Sequence, residues 1–184
     1  MTLTRALLPS QTLLTRGLLV LAGSFLIALS AQVSVPMYPV PMTLQTLAIS
    51  LIGLAYGARL AAVTVVAYLV EGAIGLPVFA NGGAGAAYLM GPTAGFLFGF
   101  VVMAWMTGWM VERGLGRGVL RLFVAALVPA TLLFVPGVLW LYVVTPLSLW
   151  GAFMAGCVPF LIGGVVKSAI AALAIAGGWR AARV

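Results

Sequence analysis

Apolar runs of fifteen to twenty residues, separated by single charges, prolines or glycines, recur along the whole chain and constrain its fold more than any other feature. A run of about 20 apolar residues in helical form spans a bilayer's hydrocarbon core, and no soluble domain has enough interior to hide several of them. Charged residues make up only 6% of the 184 residues, against roughly a quarter in a soluble domain. The chain is therefore read as an all-α integral membrane protein in one membrane domain.

The chain carries nine Lys or Arg, two Glu, one Cys and neither Asp nor His. That inventory is too thin for a cluster of titratable or metal-ligating groups, so neither an enzyme nor a metal or cofactor site is expected. The net charge of +7 does not point to nucleic acid, because the cations are scattered singly between apolar runs instead of forming a patch. Nucleotide motifs also fail. Lys167-Ser168 follows Val166 where a phosphate loop needs glycine, and Gly83-Ala84-Gly85 lacks the third glycine of a dinucleotide turn.

Membrane helices are expected at about 17–35, 42–57, 60–74, 93–111, 119–144 and 159–180, the second and third short for a crossing and so tilted or ending below the surface. Pro36, Pro39 and Pro41 stop the first, and Pro129 and Pro136-Gly137 interrupt the fifth. The first is taken as a membrane helix that is retained, because its apolar stretch is long for a signal peptide. A single helix from Trp150 to Arg180 would measure about 45 Å, too long for a core of about 30 Å. Starting at Pro159 shortens it to about 32 Å, which leaves 148–158 as a short interfacial helix.

The basic residues then sort to one side. Arg5 and Arg16 precede the first span, Arg59 lies between the second and third, Arg113, Arg117 and Arg121 between the fourth and fifth, and Arg180 and Arg183 follow the sixth. The positive-inside rule places both termini in the cytoplasm and the glycine-rich stretch 75–92 outside. Five of that stretch's eighteen residues are glycine, so its backbone can approach a ligand closely, and Asn81 and Tyr88 are its polar side chains.

Lys167 is the one cation deep inside an expected span, away from its ends, where it costs a few kcal/mol unless it is paired or faces water. It is read as an anchor for an anionic or carbonyl-bearing ligand in an outward-facing cavity, or else as the partner of Glu71 or a helix end. Gln45 and Thr43 are placed to reach the same cavity. Gly91, Gly95 and Gly99 form one small-residue seam, and Gly164, Ser168, Ala172 and Ala176 another. On the first span Gly17, Ser24, Ala28 and Ala31 form a smooth face, for packing within the chain or against another subunit.

Five stretches carry a resemblance: VPMTLQTLA at 40–48, YLVEGAIGLPVFA at 68–80, GPTAGFLFGF at 91–100, PGVLWL at 136–141 and PFLIGGVVK at 159–167. In that order they resemble the BioY family, the biotin-specific substrate-binding (S) subunits of energy-coupling factor (ECF) transporters. The resemblance implies six helices in a bacterial inner membrane, with a biotin site near the external face. By motif, Asn81 and Lys167 would contact the ligand and Tyr88 would lie in the same loop. It also implies partners, namely a membrane coupling protein and two ATPase subunits, with Ser24, Ala28 and Ala31 as the docking face. The family usually has Gly-Asp where this chain has Gly163-Gly164, so a carboxylate three residues before Lys167 is missing, and Glu71 or a backbone carbonyl is the candidate replacement acceptor. The competing reading is a solitary facilitator or small channel.

Overall fold

The computed structural model describes residues 2–8 and 12–182. Arg183, counted above among the basic residues, lies outside the described residues. The chain begins with a short helix that the sequence reading did not anticipate, α1 (Leu3–Leu7), held by the Thr4 hydroxyl donating to the Ala55 carbonyl at 2.8 Å. Long helices follow: α2 (Leu13–Gln32), α3 (Gln45–Tyr56), α4 (Ala58–Ala73) and α5 (Ala94–Met110). Then come α6 (Val119–Leu132), α7 (Phe134–Val144), α8 (Leu149–Gly156) and α9 (Leu161–Ala181).

Among the described residues, four stretches are long and apolar enough to cross a membrane: Leu13–Gln32, Ala94–Leu115, Val119–Val144 and Leu149–Ala181. The protein is a multi-pass membrane protein. The helix at Gln45–Tyr56 is apolar but shorter.

Prolines and glycines decide where elements end. The three prolines after α2 do not merely stop the helix: β1 (Ser34–Val35) pairs antiparallel with β2 (Met42–Thr43), folding 36–41 into a small hairpin. The expected first two spans thus lose their facing ends, 33–35 and 42–44, to non-helical chain. Gly57, at φ 85°, turns α3 directly into α4. Backbone stays helical through Leu133, so α6 and α7 form one bent span in which Pro136 removes the N–H that would bond the Leu132 carbonyl. The break foreseen before the last span lies at Cys157, and Pro159 sits in the 3₁₀ turn Val158–Phe160 that leads into α9. At 21 residues α9 is about 32 Å long.

Helix α5 runs through the middle, packed by α4, α3, α6 and α7, whereas α2 is peripheral and mostly uncovered. The first glycine seam works as expected. A Cβ on Gly95 would collide with Trp140 and the Pro136 carbonyl, and one on Gly99 with Leu133, so α5 and α7 touch closely. Gly137 returns the contact by lying under the ring of Phe96.

The smooth face of the first span packs inward. Ser24 and Ala31 are buried, Ala28 packs on the core, and a Cβ on Gly23 would lie 2.6 Å from Thr64 of α4. The residues α2 leaves uncovered are instead Leu18, Leu21, Phe25 and Leu29. Ser24, Ala28 and Ala31 therefore meet neighbours within this chain, with Ala28 half-buried. Gly17 is the exception, with nothing among the described residues within 4 Å of a Cβ position.

Candidate functional site

Near the end of the bundle that carries the hairpin, the helices part around an open-mouthed cavity of about 70 Å³. Its walls are apolar rings and branched chains: Phe96 and Phe100 on α5, Leu133 and Phe134 at the α6–α7 joint, and Phe160 before α9. Phe160 packs 6.5 Å from Phe96 and 6.4 Å from Phe134, so three elements meet through aromatic rings. The polar groups converge from α3, β2 and α9.

Lys167 leans out of α9 toward the hairpin and donates from Nζ to the Thr43 carbonyl at 2.9 Å. An ammonium carries three N–H donors, so two are left for a guest in the cavity that it borders. The alternative pairing of Lys167 with Glu71 does not form. Glu71 accepts from the Ser24 hydroxyl at 2.9 Å and does not border the cavity, so it supplies no replacement acceptor there.

Thr43 and Gln45 border the cavity and are locked to each other. The Thr43 hydroxyl donates to Gln45 Oε1 at 2.8 Å, Gln45 Nε2 donates to the Tyr68 hydroxyl at 2.7 Å, and that hydroxyl donates to the Val78 carbonyl at 3.0 Å. This chain fixes the start of α3 to α4 and to the glycine-rich stretch. Its members have spent most of their hydrogen-bonding capacity on one another, which holds the cavity's shape.

The glycine-rich stretch covers the cavity through Ala80 and Tyr88. Phe79 anchors it, with its ring edge-on to Tyr68 at 5.5 Å, stacked on Tyr88 at 4.9 Å and seated on Gly72, where a Cβ would collide with it. Burial pushes the Tyr88 phenol above its ordinary pKa, so it stays a neutral donor. Gln32, at the end of α2, clasps the same stretch by donating to the Phe79 carbonyl and accepting from the Gly82 N–H.

Asn81 is not brought into the cavity. It sits in the left-handed region at φ 57°, exposed, and its Oδ1 accepts from the Ser34 hydroxyl at 2.7 Å, which ties the stretch to the hairpin. Gly164 does border the cavity, one turn before Lys167, and a Cβ there would meet nothing within 4 Å. The small-residue seam of α9 therefore begins at Ser168, and Gly164 is an open position.

Sequence reasoning missed Thr46, Ser50 and Ser168. Thr46 Oγ1 is buried without a partner among the described residues, a cost that a ligand would relieve. The signal was available in the one-turn spacing of Thr46 and Ser50, which gives an apolar helix a hydroxyl stripe. The rings Phe96 and Phe100 share that spacing on α5.

Apolar walls, one partly satisfied cation and a few fixed hydroxyls describe a membrane protein built to hold a small amphipathic molecule. Comparison with known proteins gives it a family: residues 4–184 match the BioY family, and the chain belongs to it. It is 33% identical over 148 residues to the probable biotin transporter BioY of Pyrococcus horikoshii, covering 80% of this chain and 86% of that one. It is 35% identical over 150 residues to biotin transporter BioY2 of Lactococcus lactis subsp. cremoris, covering 82% of each. Biotin transporter BioY of Rhizobium etli is 36% identical over 154 residues. The fold is shared with the S-component for biotin from an ECF-type ABC transporter, at a TM-score of 0.78 and 20% identity over 91% of this chain and 94% of that one.

Proposed function

We propose that this protein is the biotin-binding membrane subunit of a vitamin uptake transporter, and that the cavity bordered by Lys167 is its binding site. The observation that carries the proposal is the Lys167 ammonium, presented with two free donors to an aromatic-walled cavity, in a chain whose relatives are named biotin transporters. Biotin has a fused-ring urea head, an aliphatic tail and a carboxylate. The rings of Phe96, Phe134 and Phe160 suit its apolar body, and Lys167 suits a carbonyl or carboxylate oxygen. The Thr46 hydroxyl and Thr43 suit its N–H groups and remaining oxygens, taking the place of the absent carboxylate at Gly164. Holding the molecule requires no bond to be made or broken.

Six crossings support this reading if α3 and α4 span the membrane beside the four longer segments. Arg5, Arg16 and Arg59 border one groove and Arg117 lies 4.7 Å over the Trp179 ring, which gathers the cations at the end away from the cavity. By the positive-inside rule that end faces the cytoplasm and the cavity faces out, in the inner membrane of a bacterium. Accumulation of the vitamin needs energy that binding does not supply, and a coupling membrane protein with two ATPase subunits would provide it.

Calorimetry of the detergent-solubilised protein tests the site. Biotin is expected to bind the parent, and Lys167→Ala is expected to fold while losing about 1.5 to 3 kcal/mol of affinity, the scale of a charged hydrogen bond. Equal affinity in the two proteins would remove Lys167 from the site. Biotin uptake by cells that lack the ATPase subunits, as fast as with them, would favour the facilitator.

A further inference from the structure

A second recess lies at the opposite end of the molecule. Helices α2 and α4 touch at Gly23 and Thr64, where a Cβ on the glycine would be 2.6 Å from the Thr64 methyl. Toward their first turns they part, and Gly17, less than two turns before Gly23, has nothing within 4 Å of a Cβ position. The parting leaves a groove of about 1070 Å³. Arg5, Arg16 and Arg59 border it, and its walls include Val20, Leu21, Leu60 and Val63. One carboxylate also borders it, that of Glu112, but its Oε1 already accepts the Ala58 N–H at 3.1 Å.

Three guanidinium groups from α1, α2 and α4 against one engaged carboxylate leave the groove cationic at its rim. Its walls are apolar along α2, the helix that is most open to the bilayer. We propose that this groove is a binding site for one anionic phospholipid, the phosphate held by Arg16 and Arg59 with Arg5 beside them, and an acyl chain laid along Val20, Leu21 and Val63. Guanidinium forks match phosphate oxygens in pairs of hydrogen bonds, and basic pockets between membrane helices select anionic headgroups. An acyl chain fills a cleft between two splayed helices that neither helix closes. The site is separate from the cavity at Lys167 and does not depend on the identity of the ligand there.

The test is native mass spectrometry and thermal unfolding of the whole chain in nanodiscs of phosphatidylcholine alone or mixed with phosphatidylglycerol. Phosphatidylglycerol is expected to stay bound at one per chain and to raise the unfolding midpoint above that in phosphatidylcholine. Arg16→Gln with Arg59→Gln is expected to weaken its binding at least about tenfold, since each cation near an anionic headgroup contributes on the order of a factor of five. Arg121→Gln, which removes one charge outside the groove, should leave it unchanged. Equal retention of the two lipids, or full retention by the double variant, overturns the proposal. Glycerol 3-phosphate and inorganic phosphate carry the anion without the tails and should leave the midpoint unmoved. If they raise it as the lipid does, the groove is a soluble-anion site and the lipid assignment fails. Chains that appear as lipid-free dimers would give the groove to a second copy and overturn it equally. Val63→Trp keeps all three arginines and fills the apolar wall, so it decides the matter should the double variant not fold. It is expected to lose the lipid, and undiminished phosphatidylglycerol binding by it overturns the proposal.

Discussion

The two halves of α9 meet different neighbours. In the half that begins at Leu161, Gly164, Lys167 and Ser168 border the cavity, across from Phe96, Phe134 and Thr46. In the half that ends at Ala181, Ala171, Ala172, Ile175 and Trp179 are buried in a cluster with Leu122, Ala125 and Ala126 of α6. Both halves are apolar and helical. The difference is side-chain size on the facing helices: alanine against alanine lets two backbones close, whereas bulky tilted rings prop helices apart. Room for a guest is thus made by bulk, and the polar groups only select what enters it.

The comparison breaks most sharply in the packed half. Ala172→Leu puts three more carbons where nothing yields and is expected to destabilise the protein by about 3 kcal/mol, the upper part of the usual overpacking range. A thermal unfolding series in detergent reads this, while biotin affinity per folded molecule should be unchanged. If the midpoint does not fall, the alanine contact is looser than described.

Gly164→Asp makes the opposite change in the open half. With nothing within 4 Å of the new Cβ, the unfolding midpoint should hold, and an acceptor one turn from Lys167 should raise biotin affinity about tenfold, the lower scale of a charge-assisted hydrogen bond. A large drop in the midpoint would put a packed neighbour at Gly164; unchanged affinity would place the ligand away from that wall.

The smallest effect belongs to the cover. Asn81→Ala removes the bond to Ser34 and one tie between the glycine-rich stretch and the hairpin, a loss of about 1 kcal/mol at an exposed site. It should speed biotin release a few-fold, seen by stopped-flow, and leave the association rate nearly the same. A loss of affinity as large as that of Lys167→Ala would mean that Asn81 turns inward to touch the ligand itself.

Much of this was legible without coordinates. Run lengths pointed to the four stretches long and apolar enough to cross a bilayer core, and Pro159 pointed to the turn that leads into the last helix, because a ring nitrogen without a hydrogen belongs near a helix start. The seam at Gly95 and Gly99 was legible from its four-residue period, and Lys167 stood out because a charge among apolar residues needs a partner.

What the sequence by itself determined is therefore the environment each segment requires and the few residues that are costly in it. Which neighbour meets that cost was decided only by the tertiary structure. Glu71, Asn81 and Lys167 are equally conspicuous in the chain, yet their partners, Ser24, Ser34 and Thr43, lie 47, 47 and 124 residues away. Ser24, Ala28 and Ala31 are smooth in either setting, and the position of α4 turned them inward. Periodicity states which residues of a helix share a face; the rotation of that helix against the others chooses what the face sees, and that rotation follows from packing across the whole bundle.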